Sequence, residues 1–167
     1  MKIRVYTKTR HIDNLKNFLT SITNAEIIFN TIFSVKEEKN FVTSMFDGDI
    51  FDLGLSYAYS RKILPPLLTV PKLGFINFHA APLPELKGGD PFTVGIKNQL
   101  TKWGVTAHYM DENYDTGRII KVNRFNLKKI PKTRHEIGSQ AYPKLFDLFR
   151  EVLPTLINSD NLKRHFN

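Results

Sequence analysis

The chain has 167 residues, which suits one domain around one core, and it has no cysteine, which excludes disulfides and thiolate metal sites and is compatible with a reducing cytoplasm. Its 24 Lys and Arg against 16 Asp and Glu leave a net charge of +8, which suits an anionic small molecule, a nucleic acid or simply a solvated basic surface. The start, Met1-Lys2-Ile3-Arg4-Val5-Tyr6, enters a strand-like run with no apolar signal region. No window approaches membrane-spanning length, and no stretch resembles a linker or repeat.

Ile3 to Thr7 alternates as a first strand, and Ile12, Leu15, Phe18, Leu19 and Ile22 then fall at helical spacing. Ala25 to Phe33 is rich in β-branched and aromatic residues and predicts a second strand. Ser34-Val35-Lys36-Glu37 has the form of a capping box and predicts a helix toward Phe46. Ile50 to Ser56 predicts a third strand. Pro65 and Pro66 restrict Ile63 to Val70 to a short helix. Phe75 to His79 is the fourth strand. Asp90-Pro91 pairs an N-cap with proline at the first helical position, so a helix should run to Gln99. Trp103 to Met110 and Arg118 to Phe125 predict two more strands around a turn-rich connection. Thr133-Arg134-His135-Glu136 is a second capping box. It opens a long helix with Ile137, Ala141, Leu145, Leu148, Phe149, Val152 and Leu156 on one stripe, and Pro143 should kink it.

Strands alternating with helices predict an α/β fold with a mostly parallel, doubly wound, Rossmann-like sheet, and such sheets take ligands at the carboxyl ends of their strands. The first turn, Thr7-Lys8-Thr9-Arg10, lacks a Gly-x-Gly-x-x-Gly, which disfavours a dinucleotide cofactor.

The stretch Ile76-Asn77-Phe78-His79-Ala80-Ala81-Pro82-Leu83-Pro84-Glu85 puts an amide and an imidazole at i and i+2, on one face of a strand at its carboxyl end. His79 titrates near neutrality, Asn77 offers amide donors, and a carboxylate such as Asp115 could orient the imidazole or stabilise its cation. Donor, base and orienter suit attack on a carbonyl through an oxyanion. One oxyanion donor is typically worth ~10²–10³ in rate, and acid–base catalysis ~10²–10⁴. No serine or cysteine sits in this loop, so a substrate amine could be the nucleophile. Taken singly each residue has a plainer reading: His79 as a satisfied polar group, Asn77 as a loop cap, and Asp115-Thr116-Gly117 as an ordinary turn. His108 reads as a sheet-face residue.

Together these residues resemble the formyltransferase family that uses N10-formyltetrahydrofolate. That family carries Asn-x-His, then a Leu-Pro loop, then a strand and a loop ending in Asp-x-Gly. The matching residues are Asn77-Phe78-His79, Pro82-Leu83-Pro84, and Gly104 through Met110 to Asp115-Thr116-Gly117. The resemblance implies a single catalytic domain over 1–167, with Asn77, His79 and Asp115 catalytic. It implies that N10-formyltetrahydrofolate is the co-substrate, without a metal. Arg61, Lys62, Ile63 and Leu64 would line one wall of the folate pocket, and Met110, Asp111, Glu112 and Asp115 the other.

Among branches, the pattern resembles sugar N-formyltransferases most. It implies a small anionic acceptor, the amino group of a nucleotide-linked deoxysugar, facing Lys87, Gly88, Gly89 and Asp90. The Lys87-Gly88 position is also similar to methionyl-tRNA formyltransferases. Glycinamide ribonucleotide formyltransferases usually have a glycine-rich first turn, which this chain lacks. Ala80-Ala81-Pro82 departs from the Pro-Ser-Leu or Gly-Ser-Leu common after the histidine in several branches. No second domain is expected after the long helix, although the tRNA and sugar enzymes generally have one. Further readings are a formyltetrahydrofolate hydrolase and a non-catalytic folate- or nucleotide-binding protein. A nucleic-acid-binding module is the weakest, because no such motif accompanies the charge. The resemblance also implies a cytoplasmic protein, allows a homodimer and involves no membrane.

Overall fold

The computed structural model describes residues 1–31, 49–88 and 90–158. The helix expected from Ser34-Val35-Lys36-Glu37 toward Phe46 lies outside the described residues, as do the last residues of the second predicted strand and Gly89. In chain order the elements are β1 (Lys2–Thr7), a 3-10 turn (Thr9–His11), α1 (Ile12–Ile22), β2 (Glu26–Thr31) and β3 (Leu53–Tyr57). There follow a 3-10 turn (Leu67–Thr69), β4 (Phe75–His79), α2 (Pro91–Lys97), β5 (Lys102–Tyr109), β6 (Ile119–Asn126) and α3 (Arg134–Ile157).

The six strands make one sheet in the order β2-β1-β3-β4-β5-β6. β1 is parallel to both β2 and β3, while β5 and β6 are antiparallel. Strand order therefore reverses at β1, as in doubly wound folds. The third strand starts at Leu53 rather than at Ile50, because Asp52 is spent at its entrance. Its Oδ2 accepts the Lys2 amide at 2.7 Å, while its own N–H donates to the Lys2 carbonyl at 2.8 Å.

The chain gathers into two compact units, Met1–Asn77 with Pro154–Asn167, and Phe78–Leu153. In the first, β3 is buried along its whole length, as expected of a strand covered on both faces. Leu15 and Leu19, one helical turn apart, give α1 its buried stripe. Phe75 sits between Tyr6 and Phe51, with ring centroids at 5.6 and 5.8 Å.

In the second unit, β5 is buried from Trp103 to Tyr109. The stripe of α3 buries Ile137, Ala141, Leu145, Leu148 and Phe149 completely. The Phe149 ring meets Phe78 edge-on at 4.7 Å. Phe149→Ala should therefore cost about 3–5 kcal/mol, in the range for an emptied aromatic core site. The check is the urea midpoint with the slope unchanged. Both predicted helix starts form as their sequences dictate. Asp90 caps α2 by accepting the Thr93 amide, with Pro91 behind it. At α3, the Glu136 amide donates to Thr133 Oγ1 and the Glu136 carboxylate accepts the Thr133 amide, each at 3.2 Å. The helix continues through Pro143 as one element.

Candidate active site

The fourth strand ends at His79, as its apolar run ends, and the following proline-rich loop turns back beneath the imidazole. His79 Nε2 lies 3.2 Å from the Leu86 carbonyl. A carbonyl only accepts, so Nε2 carries the hydrogen and Nδ1 is the atom that can take up a proton. That Nδ1 is 3.8 Å from Asp115 Oδ1, with the His79 and Asp115 side chains 15% and 11% exposed. At this distance the pair is an electrostatic one. The carboxylate does little for the neutral ring and stabilises the imidazolium that forms when Nδ1 is protonated.

Asn77 is buried two residues earlier on β4, on the face that carries His79.

Asp115 is placed by three constraints. Its backbone has φ 53°, a left-handed conformation that Asp tolerates better than most side chains. Its Oδ2 accepts the Gly88 amide at 2.9 Å, and Gly88 reaches that position with φ 72°, which favours glycine. Its Oδ1 also faces His108 Nε2 at 3.4 Å. Two imidazoles thus converge on one carboxylate oxygen, their ring centroids 6.5 Å apart.

His108, a sheet-face residue by its sequence pattern, faces the site instead. It is 1% exposed, and its Nδ1 donates to the Tyr109 carbonyl at 2.7 Å. A register shift between Ala107 and His108 in the β5–β6 pairing accompanies this placement. Bulges of this kind re-aim side chains next to functional sites. The seven-residue spacing of His108 and Asp115 was the available signal, but it spans a strand end and a turn, so periodicity could not interpret it.

Burial is the largest influence on His79 and lowers its pKa below the ordinary imidazole value, against the pull of Asp115 and the Leu86 carbonyl. For Asp115, burial pushes the carboxyl up. The opposing effects of His108, His79 and the Gly88 amide win and hold it below the usual carboxylate range. The pair therefore consists of a neutral imidazole and an ionised carboxylate at neutral pH, which is the state a proton acceptor requires.

The remaining expected site residues divide by unit. In the first, Arg61 and Lys62 are half-buried, Ile63 is buried and Leu64 is 42% exposed. In the second, Met110 and Asp111 are half-buried and Glu112 is exposed. Asp111 Oδ1 accepts the Asn113 amide at 3.0 Å and the Thr116 hydroxyl at 2.7 Å, so its carboxylate organises the turn that carries Asp115. Lys87 is exposed and Gly88 is tied to Asp115. Asp90, besides capping α2, is paired with Arg134. Among the described residues, no group of three or more His, Asp or Glu is arranged to hold a metal ion, and no helix is long and apolar enough to cross a membrane.

Gly117 ends the second motif where a side chain has no room. A Cβ there would overlap the Tyr109 carbonyl, which is main chain and cannot swing aside. Gly117→Ala should cost about 3 kcal/mol or more and displace the Asp115 turn. Its thermal midpoint against wild type is the check.

Residues 10–144 match the model of the formyl transferase family. The chain belongs to this family. The chain is 36% identical over 105 residues to a methionyl-tRNA formyltransferase of Synechococcus sp., covering 63% of this chain and 32% of that protein. It is 37% identical over 102 residues to that of Listeria innocua, covering 61% and 31% respectively. The chain therefore spans about a third of the length of these relatives.

Among solved structures, it resembles the formyltransferase PseJ from Anoxybacillus kamchatkensis, in complex with UDP-4,6-dideoxy-4-formamido-L-AltNAc and tetrahydrofolate. The TM-score is 0.71 at 27% identity, covering 94% of this chain and 76% of that one. A phosphoribosylglycinamide formyltransferase from Bacillus halodurans shares the fold with TM-score 0.73 at 19% identity, each chain being covered fully.

Proposed function

We propose that this chain transfers a formyl group from N10-formyltetrahydrofolate to an amine, with the amino group of a nucleotide-linked deoxysugar as the acceptor. The observation that carries the reading is the convergence of His79 and His108 on the ionised Asp115, with Asn77 on the His79 face of β4. The acceptor nitrogen attacks the formyl carbon, and the carbonyl oxygen gains negative charge that the Asn77 amide and the His79 imidazolium, formed once Nδ1 has taken up a proton, stabilise. His79 and Asp115 handle the proton lost from the amine, directly or through a water, before it returns to N10 of the departing tetrahydrofolate. No enzyme nucleophile is needed, because the amine supplies the electron pair. Arg61 to Leu64 and Met110 to Asp115 would line the folate, and Lys87 to Asp90 would face the acceptor.

The sugar acceptor is supported by the form of the Asn77-Phe78-His79 motif, by the +8 charge, which favours a diphosphate, and by the likeness to PseJ. A second reading has a specific observation behind it: the curated relatives matched at 36–37% identity are methionyl-tRNA formyltransferases. Tetrahydrofolate release from N10-formyltetrahydrofolate separates the readings. The panel would comprise nucleotide-linked amino sugars, methionyl-tRNA, glycinamide ribonucleotide and no acceptor. Release that depends on an amino sugar supports the proposal. Release that depends on methionyl-tRNA replaces its acceptor, and acceptor-independent release makes the protein a hydrolase. Absence of release throughout would sink the transferase reading.

A further inference from the structure

His79 and Asp115 are both held by one short stretch of main chain. The Leu86 carbonyl receives His79 Nε2 at 3.2 Å, and the Gly88 amide donates to Asp115 at 2.9 Å. The relative placement of imidazole and carboxylate thus depends on the register of the loop from Ala80 to Gly88. Loops are more mobile than the elements they connect, so the register of this one depends on what ties it down.

Three side chains from the neighbouring strands reach it. Arg124 on β6 approaches the Leu83 carbonyl at 3.4 Å and pairs with Glu85 at 2.8 Å, but both partners are about half exposed, where ion pairs contribute little. Trp103 on β5 donates from Nε1 to the Ala80 carbonyl at 2.9 Å, at the loop's first residue. Thr106 differs from both. It is fully buried, and its one hydroxyl donates to the Ala81 carbonyl at 2.8 Å while accepting the Leu83 amide at 3.1 Å. The next link is local: the Leu86 amide donates to the Pro82 carbonyl at 2.9 Å. Hydrogen bonds thus run from Thr106 through Ala81 and Leu83 to the turn that presents Leu86 and Gly88.

We infer that Thr106 is a positioning residue: its hydroxyl sets the register in which the Ala80–Gly88 loop seats both His79 and Asp115. It touches neither ring nor carboxylate and acts through the main chain. Any β-branched residue would fill the space on β5. Only a hydroxyl bonds the Ala81 carbonyl and the Leu83 amide at once, and its removal leaves two buried main-chain groups unmatched.

The inference rests on the proposed role of His79, and its test is built to be read without substrate. The ring ¹⁵N signals of His79 are followed through a pH titration in the full chain, for wild type, Thr106→Val and Thr106→Ser. Wild type should show the Nε2–H form, because Nε2 faces a carbonyl. In Thr106→Val, which keeps the volume, the loop loosens and water reaches the ring. The Nδ1–H form then gains population, and the midpoint rises by about 0.5–1 pH unit as burial is relieved. Thr106→Ser should restore both signals. Should Thr106→Val not fold, Thr106→Cys, of similar size and weak hydrogen bonding, takes its place.

A folded Val or Cys variant with wild-type His79 signals overturns the inference, as does a Ser variant that fails to restore them. Where transfer is measurable, kcat should fall roughly 10–10²-fold in Thr106→Val, the scale of a small misplacement, with KM for the folate changed far less. If wild type transfers nothing while the His79 signals follow the hydroxyl, the transferase reading fails and the positioning role stands.

Discussion

His79→Ala is expected to lower formyl transfer by about 10²–10⁴-fold while leaving tetrahydrofolate binding largely intact. The imidazole takes up the amine proton at Nδ1, and the imidazolium so formed offsets the charge of the developing oxyanion. The folate contacts expected at Arg61 to Leu64 and Met110 to Asp115 do not include it. Turnover with the best acceptor and folate binding by fluorescence would be measured side by side, and near-wild-type turnover would end the assignment. The pH profile has a determined sign. His79 must be neutral to accept a proton, and burial lowers its pKa below 6.5. Wild-type kcat/KM should therefore hold as pH falls through 6.5 and decline only below it. Stability follows the same direction. The unfolded ring binds protons near pH 6.5 and the folded ring only at lower pH, so acidification through 6.5 draws the chain toward unfolding. The Asp115 contribution, from a carboxyl held below 3.8, is present above that value and is lost only in stronger acid.

Asp115→Asn should give the second large loss, about 10²–10⁴-fold in kcat, by removing charge with little change of shape. Asn tolerates the left-handed φ of 53° as well as Asp does, and its amide oxygen can still accept the Gly88 amide, so the turn should keep its form. What disappears is the negative charge at 3.8 Å from His79 Nδ1 and 3.4 Å from His108 Nε2. Because Asp115 raises the His79 pKa, its neutralisation should move the acid limb of the pH profile further down. A thermal midpoint near wild type combined with lost turnover separates this electrostatic effect from unfolding. Retained turnover would remove Asp115 from the mechanism.

Much of the architecture was legible because local rules governed it. Phe75 to His79 is a short run rich in apolar residues that ends at His79 before a proline-punctuated loop, and the strand has those bounds. Asp90-Pro91 and Thr133 to Glu136 are self-contained capping signals whose hydrogen bonds close within four residues, so they form wherever the chain goes. The candidate site was legible to the extent that Asn77 and His79 share a strand, since two-residue periodicity places both on one face.

Other features depended on partners distant in sequence. The start of β3 follows from Asp52 bonding to Lys2, a contact 50 residues away that no window includes. His108 looked like sheet filling because every residue of β5 from Trp103 onward is buried, and burial alone does not distinguish a packed imidazole from one aimed at a carboxylate.

The sequence by itself determined the alternation of strands and helices, the two helix caps, and the side-by-side placement of Asn77 and His79. Each of these depends on chemistry within a few residues along the chain. Tertiary structure alone decided that His79 and His108 meet on Asp115, and that Thr106 grips the loop holding them. The Thr106–Leu83 bond bridges 23 residues and the His79–Asp115 pair 36, while His108 and Asp115 lie seven apart across a strand end and a turn. Their register is set by strand pairing, by one irregularity in β5, and by backbone hydrogen bonds that carry no side-chain signature.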